Sequence, residues 1–189
     1  MIRSILCATL LSAGVFSPAF AAGTDGSYAV EGPGSLTCDR VTALTAGSSD
    51  QRDLALWLSG YITAHNRLLP ETFDLTPWQT PSTLLALMIQ YCTANPGATA
   101  EVASQELIAY LMPDRLAETS QTVMQRTDEK VTVLYEQVLE RAIAALTAAG
   151  TPVDPQTGDF AAAVRRFQKQ SGLPETGAFD QATLALLLQ

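Results

Sequence analysis

A tetrapeptide that returns near the end of the chain constrains its fold more than any other feature. Thr157-Gly158-Asp159-Phe160 comes back as Thr176-Gly177-Ala178-Phe179. Seven positions after each Phe stands another apolar residue, Phe167 and then Leu186. Two short helices are therefore expected to start from the same Gly-turn-aromatic entry and to bury the same face. Neither unit can bury that face alone. Phe160, Phe167, Phe179 and Leu186 are expected to be core residues, as periodic apolar positions usually are. Gly172-Leu173-Pro174 separates the units as a helix stop and re-entry. Ahead of them, Val131, Leu134, Tyr135, Val138, Leu139, Ala142, Ala145 and Leu146 follow helical spacing. Gly150 sits where a left-handed cap would end that helix, and Pro152 follows.

These residues carry a resemblance. Residues 143–150 and 162–187 look like the peptidoglycan-binding domain found in bacterial wall enzymes. The matching positions are Phe167-Gln168, Gly172-Leu173, Gly177, and Thr183 with Leu187. The likeness covers residues 132–189 and implies a three-helix module with peptidoglycan as its partner. The turn from Val153 to Phe160 is shorter than the family's. Arg165, Arg166 and Lys169 form the one basic cluster of the chain, largely away from Val164 and Phe167. They are the candidate ligand-binding residues, since a guanidinium offers planar paired donors to the carboxylates of wall peptides. The competing reading of the cluster is a solvated face that balances nearby acids.

The start of the chain reads as an export signal. Arg3 precedes an uncharged apolar run from Ile5 to Phe16, and Ala19-Phe20-Ala21 places small residues where a signal peptidase needs them. The run is shorter than the roughly 20 residues a membrane span requires, and Pro18 follows it. Residues 1–21 are thus expected to be a signal peptide that takes Cys7 with it. The expected location is the periplasm, with no membrane span after cleavage. Cys38 and Cys92 remain, and two cysteines in an exported chain read as a disulfide. Closing so long a loop stabilises by about 4 kcal/mol in the chain-entropy model.

Residues 22–35, rich in Gly, Ser and Thr, are expected to be a flexible leader. Residues 36–113 read as helical. Asp50 can cap a helix that presents Leu54, Trp57, Leu58, Tyr61, Ile62, His65, Leu68 and Leu69 on one face. A proline-rich loop spans 70–81. A second helix begins at Ser82 or Thr83 and carries Leu84, Leu87, Met88, Tyr91 and Cys92. After Asn95-Pro96-Gly97 a third presents Val102, Leu107, Ile108 and Leu111. Residues 114–131 are polar and read as a linker or an exposed helical extension. Cys38, the stretch 57–66 and the stretch 89–96 resemble small exported helical proteins of the HdeA type, the periplasmic acid chaperones. That resemblance implies one intramolecular disulfide, which Cys38 and Cys92 could reproduce.

Charge and composition narrow the function. Eleven Lys and Arg face 19 Asp and Glu, for a net charge of −8. Nucleic acid needs a basic footprint, so it is not an expected partner. His65 is the one imidazole, and it lies on the apolar face of its helix, where packing is the expected role. There is no nucleophile elbow, no phosphate loop and no metal-ligand spacing. No enzyme activity, cofactor or metal is expected. The expectation is an all-α chain in which a disulfide-linked helical domain precedes a three-helix peptidoglycan-binding-like module. Its expected function is non-catalytic wall binding, presenting the first domain to a periplasmic protein. The alternatives are a wall-tethered acid-responsive chaperone of the HdeA type and an accessory or inhibitor of a lytic enzyme.

Overall fold

The computed structural model describes residue 23 and residues 25–127, 130–154 and 158–188. The expected signal peptide over 1–21 lies outside the described residues, as does Thr157 of the first repeat. Residues 31–189 form one compact unit. Described residues before Glu31 belong to a separate one, in which Asp25 Oδ1 accepts from the backbone N–H and the hydroxyl of Ser27.

The compact unit is mostly helical. In chain order it contains α1 (Cys38–Thr42), α2 (Ser49–Leu68), α3 (Pro81–Ala94), α4 (Ala100–Leu111), β1 (Thr122–Arg126), β2 (Val131–Tyr135), α5 (Glu136–Ala148), α6 (Phe160–Gln170) and α7 (Gln181–Leu188). Local chemistry sets the helix starts. Ser48 accepts from Gln51 N, and the Gln51 amide accepts in turn from Gly47 N, so Ser48 rather than Asp50 caps α2. Thr80 caps α3 one residue before Pro81, a position where the missing N–H costs nothing. Thr99 caps α4 and Asp159 caps α6. Gly150 ends α5 at φ +76°, as expected from the sequence.

The first core lies among α1–α4. Leu54, Leu58 and Ile62 of α2 meet Leu84, Leu85 and Met88 of α3 and Leu107, Ile108 and Leu111 of α4. Leu68, expected on the same face, is 75% exposed at the end of α2. Cys38 and Cys92 are joined, tying α1 to α3, and both are fully buried. The backbone reinforces the tie: Cys38 N donates to Ala98 O and Ala100 N to Leu36 O, both at 2.8 Å. Part of the expected flexible leader is ordered. Gly32–Ser35 forms a 3-10 turn, and a Cβ on buried Gly34 would overlap the Trp57 indole.

The segment from 114 to 131, expected as a linker or an exposed helical extension, holds β1 and the start of β2. Thr122–Arg126 and Val131–Tyr135 pair as an antiparallel hairpin, with Gln125 opposite Thr132 and Val123 opposite Leu134. The helix read from Val131 therefore begins only at Glu136. Val131, Leu134 and Tyr135 fit helical spacing, but Val-Thr-Val also fits period two, and β-branched residues settle better on a pleated surface. Burial alternates along β2 accordingly, with Leu134 turned inward and Val133 outward.

The second core lies among α5, α6 and α7. Val138, Ala142 and Leu146 of α5 meet Val164 and Phe167 of α6, together with Phe179 and Leu184. Phe179 is fully buried, Phe167 is buried and Phe160 packs at the margin. Leu186 departs from the expectation, being 56% exposed. Because α7 starts at Gln181, Thr183 and Leu184 take the inward positions and Leu186 falls on the outer face.

One member of the second core comes from far away in sequence. Trp78, in the loop between α2 and α3, packs with Leu134, Phe179 and Leu184. That loop is anchored near its middle. Asn66 Oδ1 accepts from Leu75 N, and Asp74 pairs with Leu116 in a short antiparallel bridge. Phe73 meets Tyr135 edge-on at 5.8 Å between ring centres. Burial, with the Asp74 carboxylate beside it, raises the Tyr135 phenol above its ordinary pKa. Arg141 of α5 donates to Asp114 O and Arg115 O, fastening the end of the first core to the second.

Candidate functional site

The turn that opens the second repeat unit is held by a dense set of hydrogen bonds. Gln168, on α6 beside Phe167, is fully buried. Its Nε2 donates to Thr176 Oγ1, Ala178 O and Thr183 Oγ1 at 2.9–3.2 Å. Its Oε1 accepts from Gly177 N at 2.9 Å. A single amide thus fixes residues 176–178 and the first turn of α7. Gly177 is at φ +67°, and a Cβ there would come within about 3.0–3.2 Å of the Arg165 guanidinium and of Ala161 O. Only glycine meets both the backbone angle and the close approach.

Asp180 completes the turn. Its Oδ1 accepts from the backbone N–H and hydroxyl of Thr183, so its charge stands at the positive end of α7. Its Oδ2 accepts from Thr176 Oγ1 at 2.9 Å and from Lys130 Nζ at 3.1 Å. Burial alone would raise the pKa of this carboxyl. The hydrogen bonds from Thr183, Thr176 and Lys130 outweigh it and hold the group below its ordinary value. The hairpin supplies a further clamp. Gln125 Nε2 donates to Gly177 O, and Gln125 Oε1 accepts from Phe179 N, so the side chain mimics a strand partner for the turn.

A cleft of about 270 Å³ opens where this turn meets the rest of the unit. It runs between residues 76–80, β2 and the start of α7, with Trp78, Thr132, Asp180 and Gln181 among its walls. A larger groove of about 580 Å³ lies between α3 and α4, walled by Leu87, Tyr91, Leu107 and Tyr110 among others.

The cationic residues singled out from the sequence all lie on α6, in different surroundings. Arg165 is half-buried with its guanidinium over Gly177. Arg166 is exposed, and its Nη2 donates to Pro152 O at 2.7 Å, closing the turn before α6. Lys169 is exposed one helical turn from Arg165. None of the three makes an ion pair with a described acid, and none lines the cleft. His65 is half-buried, its ring tilted against Tyr61 at 4.4 Å between ring centres, with Nδ1 2.8 Å from Tyr61 O. Among the described residues no three His, Cys, Asp or Glu side chains group closely enough to hold a metal ion. No described helix is long and apolar enough to cross a membrane.

Comparison with known families agrees with the motif. Residues 137–187 match the family described as "Putative peptidoglycan binding domain". The matched segment runs from the start of α5 almost to the end of α7. It contains Gln168, Gly177 and the Asp180 cap. A peptidoglycan-binding segment together with a disulfide fits a location outside the cytoplasm. No curated protein and no solved structure matches the chain. The likeness of residues 36–113 to the HdeA type thus has no support from these comparisons.

Several residues that build the site went unnoticed in the sequence. Gln168 stood in the motif with no role assigned, although a polar amide beside Phe167 on the inward face of an amphipathic helix is a signal of a buried hub. Asp180 three residues before Thr183 is a helix-start signature. Trp78, Gln125 and Lys130 gave no local signal, because their partners are remote.

Proposed function

We propose that this is a non-catalytic periplasmic protein that docks on peptidoglycan through the module built on residues 137–187. In this reading the helical half, with its groove between α3 and α4, is presented to a periplasmic protein partner. The observation that carries it is the family match to a segment whose second turn is held rigid by Gln168, Gln125 and Asp180. Rigid turns suit recognition, because little ordering entropy is lost on binding. Arg165 and Lys169 are proposed to add long-range attraction to wall carboxylates, weakened by salt.

Sedimentation with purified sacculi tests the reading. The full-length protein is expected to pellet with sacculi and to release no soluble wall fragments. A protein that stays in the supernatant is not a wall-docking protein. Release of soluble fragments would make it an enzyme and remove the non-catalytic half of the reading.

A further inference from the structure

One side of β1 is unused. Two backbone hydrogen bonds bracket its ladder with β2, from Glu136 N to Gln121 O and from Thr127 N to Lys130 O, both at 2.8 Å. Bonded and non-bonded positions alternate in an antiparallel pair. The odd-numbered residues of β1 therefore bond to β2, and Thr122, Met124 and Arg126 turn their N–H and C=O groups away from it. Among the described residues no hydrogen bond reaches those outward groups. The same three residues are exposed, Met124 at 62%. The far side of the hairpin is less open: residues 76–80 stand across the cleft from β2, and Phe73 lies against Tyr135.

A two-stranded sheet is marginal by itself, and an unpaired edge is a template for another strand. The side chains select which strand fits. On the outward face Met124 stands opposite Val133 and Arg126 opposite Val131, and both valines are more than half exposed. This apolar row across the hairpin stops at Met124. A second β1, laid antiparallel and centred on Met124, continues the row with its own Met124 and Val133. It also sets Arg126 opposite Thr122 of the second copy, so no charge meets a like charge. Centring the pair on Arg126 would bring two guanidiniums together, which is unfavourable. Because a two-fold axis relates the strands, one surface serves both copies.

We propose that β1 pairs in this register with β1 of a second copy of the chain, joining two hairpins into one sheet. The strand has five residues, so the contact is smaller than a standard stable interface and the dimer depends on concentration. The inference stands apart from wall docking, yet it bears on its geometry. Gln125 ties the inward face of the hairpin to Gly177 and Phe179. A two-fold axis perpendicular to the sheet keeps both inward faces on one side. Two modules would then face the same way, as bivalent attachment to one surface requires.

Sedimentation of the full-length protein over a concentration series tests the pairing. The parent is expected to pass from monomer to dimer. Met124→Lys and Met124→Asp each oppose like charges at the two-fold axis and should raise the half-association concentration at least about tenfold. Mixing the two variants should restore association, because opposite charges then face each other. A contact elsewhere on the molecule would not respond to mixing. A parent that stays monomeric at every concentration overturns the proposal. So does a dimer that both variants retain, or one that the mixture fails to restore. Should the variants misfold, amide hydrogen exchange of the parent decides. The N–H groups of Thr122, Met124 and Arg126 must become protected as concentration rises, while those of Val123 and Gln125 are protected throughout. Exchange at Met124 that ignores concentration overturns the pairing.

Discussion

Around Cys38 and Cys92 the chain closes covalently; around Gln168 it closes with four hydrogen bonds from one side chain. The first half is organised by apolar stripes on three helices that meet face to face. In the second half a smaller core is completed by a polar amide, a capping carboxylate and a tryptophan lent by the first. Small cores bury too little surface to be stable unaided, and the two regions meet that shortfall differently. The disulfide acts chiefly on the unfolded chain and leaves the surface of α1–α4 free to vary. The Gln168 network acts on the folded turn, where each donor needs its acceptor in place. The first arrangement fixes a scaffold, and the second fixes the shape of one turn.

The largest test of this contrast removes the covalent tie. Replacing both cysteines by serine is expected to destabilise the first core by about 4 kcal/mol, the loop-closure value for this separation. The chain has two tryptophans, and the structure puts them in different cores: Trp57 packs against the first and Trp78 sits in the second. In urea, the Trp57 signal of the double variant should move to lower denaturant ahead of the Trp78 signal. Coincident shifts of equal size would mean that the two cores unfold as one. Trp78→Ala probes the loan in the other direction. At 8% exposure the indole is nearly all core, so about 3 kcal/mol should be lost. The loss should appear as faster amide exchange in α5–α7, although the mutated residue belongs to the α2–α3 loop. Faster exchange confined to α2 and α3 would contradict the shared core.

How far the sequence could be read follows the same divide. The helices α2, α3 and α4 were legible because their apolar residues recur every three or four positions and the breakers between them are strong. The disulfide was legible from cysteine number and export. The carboxyl-terminal motif was legible as a pattern, yet its chemistry was not. Gln168, Gly177 and Thr183 are matched positions whose meaning lies in bonds across 8 to 15 residues. The hairpin was missed because Val131, Leu134 and Tyr135 satisfy helical spacing, and only pairing with 122–126 decides between the two periods. Leu186 was misplaced because the repeat fixes spacing from Phe179, whereas burial is set by where α7 begins. The cluster of Arg165, Arg166 and Lys169 was readable as charge. That Arg166 is spent on Pro152 O could not be seen in a string of residues.

Gln168→Leu sharpens the polar side of the comparison. Leucine keeps most of the volume but abandons Gly177 N and Ala178 O, which then lie buried without their partner. A loss of about 2 kcal/mol is expected from unsatisfied backbone groups. Wall docking should fall with it, since the turn is no longer held. A variant as stable as the parent would show that the amide is a passenger and that packing of Phe167 and Phe179 alone shapes the turn.

The smallest expected effect concerns acid. Asp180 has its pKa lowered in the folded protein relative to the ordinary 3.8. Its contribution to stability is therefore complete at pH above that ordinary value and is lost as pH falls through the lower, folded one. Lys130 is one source of the lowering, and its side chain is 47% exposed. Solvent screening keeps the pair to about 0.5 kcal/mol. Lys130→Met should bring the Asp180 carboxyl back towards 3.8, so that the loss of its contribution begins at higher pH. The carboxyl resonance of Asp180, followed by NMR from pH 7 to 2 in parent and variant, reads this directly. An unchanged midpoint would mean that Thr183 and Thr176 alone hold the charge and that the hairpin contributes only through Gln125. The Cys38–Cys92 closure of α1 on α3, by contrast, does not titrate.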